Sequence, residues 1–197
     1  MADPFVSAGA PATDIEAISF SAADTDAIMT SVAMVTSAAT YSAADLNGIY
    51  GNTLINSRRI TITLSSLAGS WALSAYTITG LADDAVTAQV ESVTNTASSG
   101  AVTLTTTNLF AKVTQVTSPA NGSTSGTWKV GTEEAPSPYL AGVRSLYIGG
   151  AGNLVFTTKD GTLSPATPVA QGVLPISVRR VWASADGTTA SSILALK

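Results

Sequence analysis

A two-residue rhythm that sets in at Ile60 constrains this chain more than any other feature. Ile60-Thr-Ile-Thr-Leu64 alternates aliphatic residues with threonine, and Tyr76-Thr-Ile-Thr79 repeats the pattern before stopping at Gly80. Successive side chains of a strand point to opposite faces, so this alternation builds half-buried β-strands. A helix would need its apolar residues about 3.6 apart. The rhythm returns over residues 86–93, then in Val102-Thr-Leu-Thr105, Phe110-Ala-Lys-Val-Thr-Gln-Val-Thr117 and Trp128-Lys-Val130. Asp83-Asp84, Ser99-Gly100 and Asn121-Gly122 supply turns between them. Short strands at this spacing predict a small β-sandwich over residues 58–134.

Glu133-Glu-Ala-Pro-Ser-Pro138 reads as a linker. Residues 139–197 then form a second compact β unit, with candidate strands at 143–148, 153–159, 173–182 and 188–196. Gly149-Gly-Ala-Gly152 and Asp160-Gly161 are expected as hairpin turns, where glycine supplies a positive φ at little steric cost. Pro165, Pro168 and Pro175 lie in or beside connections, where a missing N–H does no harm. The whole is expected to be all-β.

Residues 1–57 differ in character. They hold six acids (Asp3, Asp14, Glu16, Asp24, Asp26, Asp45) and no lysine or arginine. Pro4, Pro11 and many Ala and Ser give the look of an extended N-terminal arm. Ser42-Ala-Ala-Asp45 resembles a capping box, and Ser21 or Asp24 would cap a short helix. One reading is a solvated terminus. The sharper one is an acidic arm that packs with the C-terminal unit and docks on a basic partner through Pro4, Phe5, Ile15, Ile18 and Phe20.

Composition removes whole classes of function. Charged residues make up 11% of the chain against about 25% in typical soluble domains. A surface wetted by Ser, Thr and Asn costs little to desolvate, which suits permanent contact with neighbours. The net charge is −4, and nine Lys and Arg are spread without a basic stripe, so no nucleic-acid partner is expected. With no cysteine and no histidine there is no thiolate metal site, no Cys nucleophile and no His-based triad. The most apolar stretch near the start, residues 27–39, is broken by Thr30, Ser31, Thr36 and Ser37. It is too short to span a membrane, and the acids before it do not suit a signal peptide.

The remaining motifs favour structure over chemistry. Ile148-Gly-Gly-Ala-Gly-Asn153 is followed by the strand-like Leu154-Val-Phe-Thr-Thr158, whereas a dinucleotide loop needs a helix there. The doublets Asp83-Asp84 and Glu133-Glu134 sit in a turn and a linker, and neighbouring residues of a strand cannot face each other across a substrate. Weak calcium binding is the alternative for such a turn. Arg58-Arg59 and Arg179-Arg180 should each send one side chain outward and leave the other needing a partner. They are either edge-strand charges or salt-bridge donors to an acidic arm. Trp71, Trp128, Trp182, Phe110, Phe156, Tyr139 and Tyr147 are expected as core or interface anchors. A carbohydrate platform would need several of them exposed on one face.

Two stretches resemble known proteins. Ser145-Leu-Tyr-Ile-Gly-Gly-Ala-Gly152, Gly172-Val-Leu-Pro-Ile-Ser-Val-Arg-Arg-Val-Trp182 and Gly187-Thr-Thr-Ala-Ser-Ser-Ile-Leu-Ala-Leu196, with the opening Met1-Ala-Asp-Pro-Phe-Val-Ser7, carry the first resemblance. It is to the small head-spike base proteins of gene transfer agents and related α-proteobacterial phages. The middle stretch, from Ile60-Thr-Ile-Thr-Leu64 through Asn108-Leu-Phe-Ala-Lys-Val-Thr-Gln-Val-Thr117 to Trp128-Lys-Val-Gly131, looks like a β module common in phage virion proteins. Spike-base proteins run almost directly from arm to C-terminal unit, so residues 58–134 are an insertion relative to that pattern. The resemblance therefore implies attachment to a phage head more than a place at a fivefold vertex.

What it implies is a virion structural protein on the capsid surface that cements or decorates capsomers or forms a head-spike base. It implies no enzymatic activity and no cofactor or metal. The implied partners are the major capsid protein, further copies of the chain (a homotrimer ahead of a pentamer) and a head fibre. The interface residues would be Pro4, Phe5, Ile15, Ile18, Phe20, Arg58, Arg59, Arg179 and Arg180. The alternatives are a receptor- or glycan-binding fibre or tail protein, or a tail tube or terminator ring.

Overall fold

The computed structural model describes residues 15–67, 74–97, 100–120 and 126–197, and it is nearly all β. The strands are β1 (Ile15–Ala17), β2 (Asp24–Ala33), β3 (Ala39–Ser42), β4 (Thr53–Arg58), β5 (Ile60–Leu67), β6 (Ser74–Ala82), β7 (Ala88–Asn95), β8 (Gly100–Thr105), β9 (Phe110–Ser118) and β10 (Thr127–Thr132). After them come β11 (Ser145–Gly150), β12 (Gly152–Leu154), β13 (Phe156–Thr158), β14 (Thr167–Val169), β15 (Gly172–Leu174), β16 (Val178–Val181) and β17 (Ser191–Leu196). Among the described residues the only helical turn is a 3-10 segment, Ser184–Asp186. The chain divides into two compact units. One is Phe20–Pro136; the other joins Met1–Ser19 to Ser137–Lys197.

The first unit is a β-sandwich. A four-stranded sheet in the order β2-β10-β5-β8 packs over a sheet in the order β3-β9-β6-β7, with β4 also paired to β9. The aliphatic residues of the rhythm turn inward as alternation requires, although Thr61 between two of them is buried as well. Ile60, Ile62 and Leu64 are fully buried, while Thr63 meets Thr103 on the outer side, their hydroxyls 3.4 Å apart. On β6, Tyr76 and Ile78 point inward and Thr77 meets the Ser92 hydroxyl at 2.9 Å. Trp128 fills the centre, its ring centroid 5.2 Å from that of Tyr41 and 5.3 Å from that of Tyr76. Burial of each large aliphatic chain here is worth about 1.5–3 kcal/mol.

This sandwich begins well before residue 58, which corrects the expected arm over residues 1–57. β2 pairs antiparallel with β10 (Val32 with Trp128, Met29 with Val130), and Ala27, Ile28 and Met29 are all fully buried. The register shifts twice along this pair, three consecutive residues are buried, and the two-residue rhythm is lost. Nor is there a helix in residues 15–57. The Asp45 carboxylate accepts hydrogen bonds from the Ser42 N–H (2.8 Å) and hydroxyl (2.9 Å), closing a turn rather than opening a helix. The Asp24 carboxylate accepts from the N–H of Asp26 at the start of β2.

The expected linker at residues 133–138 is tied down on both sides of its midpoint. The Ala135 N–H donates to the Ser21 carbonyl at 2.9 Å, and the Ser137 N–H donates to the Val181 carbonyl at 2.8 Å. The division falls between Pro136 and Ser137.

The second unit is built on a four-stranded sheet in the order β1-β17-β11-β15, with the pairs β12-β14 and β13-β16 beside it. Residues 15–19 thus belong to this unit, β1 lying antiparallel on β17 with Ile15 opposite Leu196. Two expected strands are each split. Residues 153–159 become β12 and β13, which pair with different partners, and residues 173–182 become β15 and β16 on either side of Pro175.

The glycines of Gly149-Gly-Ala-Gly152 do not form a hairpin turn. β11 runs through Gly150 and pairs with β17, and β12 pairs with β14. None of these glycines adopts a positive φ. Their role is close approach: a Cβ on Gly149 would lie 2.6 Å from the Ser192 Cβ, and one on Gly152 would lie 2.6 Å from the backbone nitrogen of Ala190. Asp160-Gly161 does turn, with Gly161 at φ +93° and its N–H donating to the Thr158 carbonyl.

Candidate functional site

The described residues among those singled out in the sequence are divided between the two units. Pro4 and Phe5 lie outside the described residues. Ile15 is 57% exposed on β1, and Ile18 is half-buried, its N–H donating to the Ile193 carbonyl at 2.9 Å. Phe20 is half-buried and belongs to the sandwich unit, whereas Ile15 and Ile18 belong to the other.

Arg58 is withdrawn as a residue that meets a partner, because its side chain is fully buried in the sandwich. The guanidinium donates to the Ala22 carbonyl (2.9 Å), the Thr132 hydroxyl (3.3 Å) and the Tyr50 hydroxyl (3.4 Å), and lies 4.9 Å from the Tyr50 ring centroid. Its neighbour Arg59 points outward, forming a 3.5 Å ion pair with Glu133 and donating to the Thr107 carbonyl. The second doublet converges on one aromatic ring. The guanidinium carbons of exposed Arg179 and buried Arg180 lie 4.6 and 4.1 Å from the Tyr139 centroid.

Arg179 also lines a cleft of about 350 Å3 in the C-terminal unit, formed by residues 140–144, Lys159 and residues 177–179. Leu140, Val143 and Val178 are its buried apolar floor. The Leu140 N–H donates to the Arg179 carbonyl, the Ser177 hydroxyl donates to the Val143 carbonyl at 2.8 Å, and Gly142 at φ +75° lets the loop turn between these ties. Arg144, Lys159 and Arg179 are exposed around it, three of the nine cations in the chain. No acid is among the lining residues, and none of the three has an ion-pair partner among the described residues. Nearby in sequence, Asp160 is engaged in its own turn. Its carboxylate accepts from the Thr158 hydroxyl and the Thr162 N–H, which holds its pKa below the usual carboxylate value. Cations without local neutralisation in a concave site make it attractive to anions.

The four-stranded sheet has a second surface. Ile15, Leu196 and Ser145 stand side by side across three strands, and Ala17, Leu194, Tyr147 and Val173 form the next row across all four. Their alternates Leu146, Ile148, Ile193 and Ala195 fill the buried side. None of the first set is buried: Val173 is 62% exposed, and Tyr147, Leu194 and Leu196 are half-exposed. An antiparallel sheet with one face in water ordinarily carries polar residues there, as the sandwich does with Thr63, Thr103, Thr77 and Ser92. Here six of these seven open-face residues are apolar and none is charged. Single exposed aliphatic residues mean little, but a contiguous patch marks a contact.

Sequence reasoning named one residue of each surface, Arg179 and Ile15, but neither surface as a whole. Arg144 and Lys159 are isolated along the chain, and only the crowding of five of the nine cations after residue 143 hinted at a basic site. The open face was foreshadowed by the unbroken apolar run Ile193-Leu-Ala-Leu196, a pattern of a strand apolar on both sides.

Among the described residues no group of three or more acids, histidines or cysteines is placed to hold a metal ion, and no helix is long and apolar enough to cross a membrane. Comparison of the chain with family models, with curated proteins and with solved structures gave no match.

Proposed function

We propose that this chain is a virion structural protein bound to the exterior of a tailed-phage capsid, where it decorates or cements capsomers or forms the base of a head spike. The observation that carries the reading is the open apolar face of Ile15, Ala17, Tyr147, Val173, Leu194 and Leu196. A protein working alone in water gains nothing from such a face, whereas one that spends its life against a neighbour does.

Magnitudes decide how the contact works. With strands roughly 4.8 Å apart and about 3.3 Å per residue, the face offers on the order of 300 Å2. A stable interface takes about 800 Å2 from each partner. The sheet face is therefore one anchor among several, with Pro4 and Phe5 in the segment before it adding to the contact. Repetition over symmetric sites makes up the remaining affinity through avidity. The major capsid protein is the proposed partner, with further copies of the chain beside it and a head fibre on the outward side.

The alternative, a glycan-binding fibre or tail protein, would draw on aromatics exposed together. Trp128 is buried, Trp182 is half-buried with its indole N–H donating to the Thr157 hydroxyl, and Tyr139 lies against two guanidinium groups. These placements favour attachment over sugar binding.

The test is binding of the purified chain to phage heads assembled without it. Deleting residues 1–25 would remove β1 and the first residues of β2, so the informative truncation stops at residue 14. Removal of residues 1–14, or Leu194→Ser with Tyr147→Ser, should weaken head binding at least tenfold with the fold intact. Unchanged binding in both would refute the reading.

A further inference from the structure

Charge is divided unevenly along this chain. Residues 20–136 carry eight acids against four cations, one of them the buried Arg58. Residues 137–197 carry five cations against two acids. Three of those five surround the cleft floored by Leu140, Val143 and Val178. At about 350 Å3 it falls at the lower end of ligand-sized sites, which run roughly 300–1,000 Å3.

The sandwich presents the opposite chemistry on the β6–β7 hairpin. Its tip holds Asp83, Asp84 and Val86, and Val86 is 80% exposed. The tip is a firm knuckle. The Asp84 carboxylate accepts from the N–H of Val86 (2.9 Å) and from the N–H (2.8 Å) and hydroxyl (2.5 Å) of Thr87. The Ala82 N–H donates to the Thr87 carbonyl, the Ala85 N–H to the Ala82 carbonyl, and Ala85 takes φ +59°. A preformed tip loses little freedom when it binds.

We propose that the β6–β7 knuckle of one copy docks into the Arg144–Lys159–Arg179 cleft of a second copy, with Val86 on the apolar floor and the Asp84 carboxylate among the three cations. The two patches differ, and each copy offers one cleft and one knuckle, so contacts of this kind close a ring, run on as an open chain or pair reciprocally about a two-fold axis. This contact uses neither the open sheet face nor residues 1–14, and it stands independently of capsid attachment.

Light scattering of the full chain over a range of protein concentrations and salt tests it. The wild type should associate, and association should weaken as salt rises. Arg144→Glu with Arg179→Glu reverses the cleft. Asp83→Lys with Val86→Lys reverses the knuckle while keeping the Asp84 turn. Each variant alone should associate at least tenfold more weakly than wild type with an unchanged circular dichroism spectrum, and the equimolar mixture should recover mixed oligomers. Should a double variant misfold, Lys159→Glu reverses a single exposed cleft charge and should weaken association in the same direction. A monomeric wild type, variants that associate like wild type, or a mixture that stays apart would each overturn the proposal. So would a wild type that remains monomeric while its cleft takes up an anionic polysaccharide.

Discussion

Tyr147 and Leu194 stand directly opposite each other on β11 and β17, both on the open side of the C-terminal sheet and neither buried. On the other side of the same strands Ile148 and Ile193 form an equivalent pair, and these are buried. One strand pair thus carries apolar residues on two faces, of which the described residues fully bury only one. On the proposed reading, the buried pair serves folding and the open pair serves attachment.

Substitutions on the two faces should behave oppositely. Ile193→Ala should destabilise the C-terminal unit by about 2–5 kcal/mol, as large-to-small changes in packed cores do. Leu194→Ser should cost less, roughly 1–2 kcal/mol, since a half-buried position loses only part of its burial. Urea unfolding checks both, and comparable losses would mean that the open face is covered.

Tyr76 links core packing to pH. Its ring is fully buried and its hydroxyl has no hydrogen-bond partner among the described residues. Burial, followed by the nearby Tyr41, pushes its pKa from 10.0 up to about 12. The folded state therefore holds the phenol proton more tightly than the unfolded chain does. Stability from this group is intact below pH 10 and declines as pH rises toward 12, at about 1.4 kcal/mol per unit. Tyr76→Phe should abolish that alkaline decline. At neutral pH it should leave stability unchanged or slightly raised, because it removes an unsatisfied buried hydroxyl. Denaturant midpoints across the alkaline range give the answer.

Arg58 and Arg59 are adjacent yet should differ sharply. Arg58→Ala empties a buried volume and strips donors from the Ala22 carbonyl, Thr132 and Tyr50, at an expected cost of roughly 3 kcal/mol or more. Arg59→Ala loses a partly exposed ion pair with Glu133, worth about 1 kcal/mol at most. Thermal unfolding of the two variants should separate them clearly.

Gly152 tests the corrected role of the glycine run. A Cβ there would meet the backbone of Thr189 and Ala190 at 2.6–2.8 Å, and backbone cannot swing aside as a long side chain can. Gly152→Ala should cost about 1–3 kcal/mol through overpacking. At Gly161 a Cβ meets nothing within 4 Å, so Gly161→Ala should cost only the strain of its positive φ, about 1 kcal/mol. Equal effects would restore the hairpin reading.

Where a strand kept strict alternation, its existence and its buried face were readable in advance, as with Ile60, Ile62 and Leu64. β2 was hidden because register shifts against β10 break the alternation and Ala27, Ile28 and Met29 are buried in succession. The Gly149–Gly152 run read as a turn because glycine serves positive φ and close approach equally well, and only the tertiary partner distinguishes them. The basic cleft was invisible for a related reason. Arg144, Lys159 and Arg179 come from three separate segments, and nothing local in sequence says that they share a rim. The aromatic partner of Arg179 and Arg180 was likewise out of reach, since Tyr139 precedes them by some forty residues.

The most direct measurement is cosedimentation of the purified chain with phage heads assembled without it, comparing wild type with Leu194→Ser/Tyr147→Ser. The account predicts saturable binding of wild type at a fixed copy number per head, with binding by the folded double variant at least tenfold weaker. Failure of the wild type to bind, or equal binding by the variant, would contradict it.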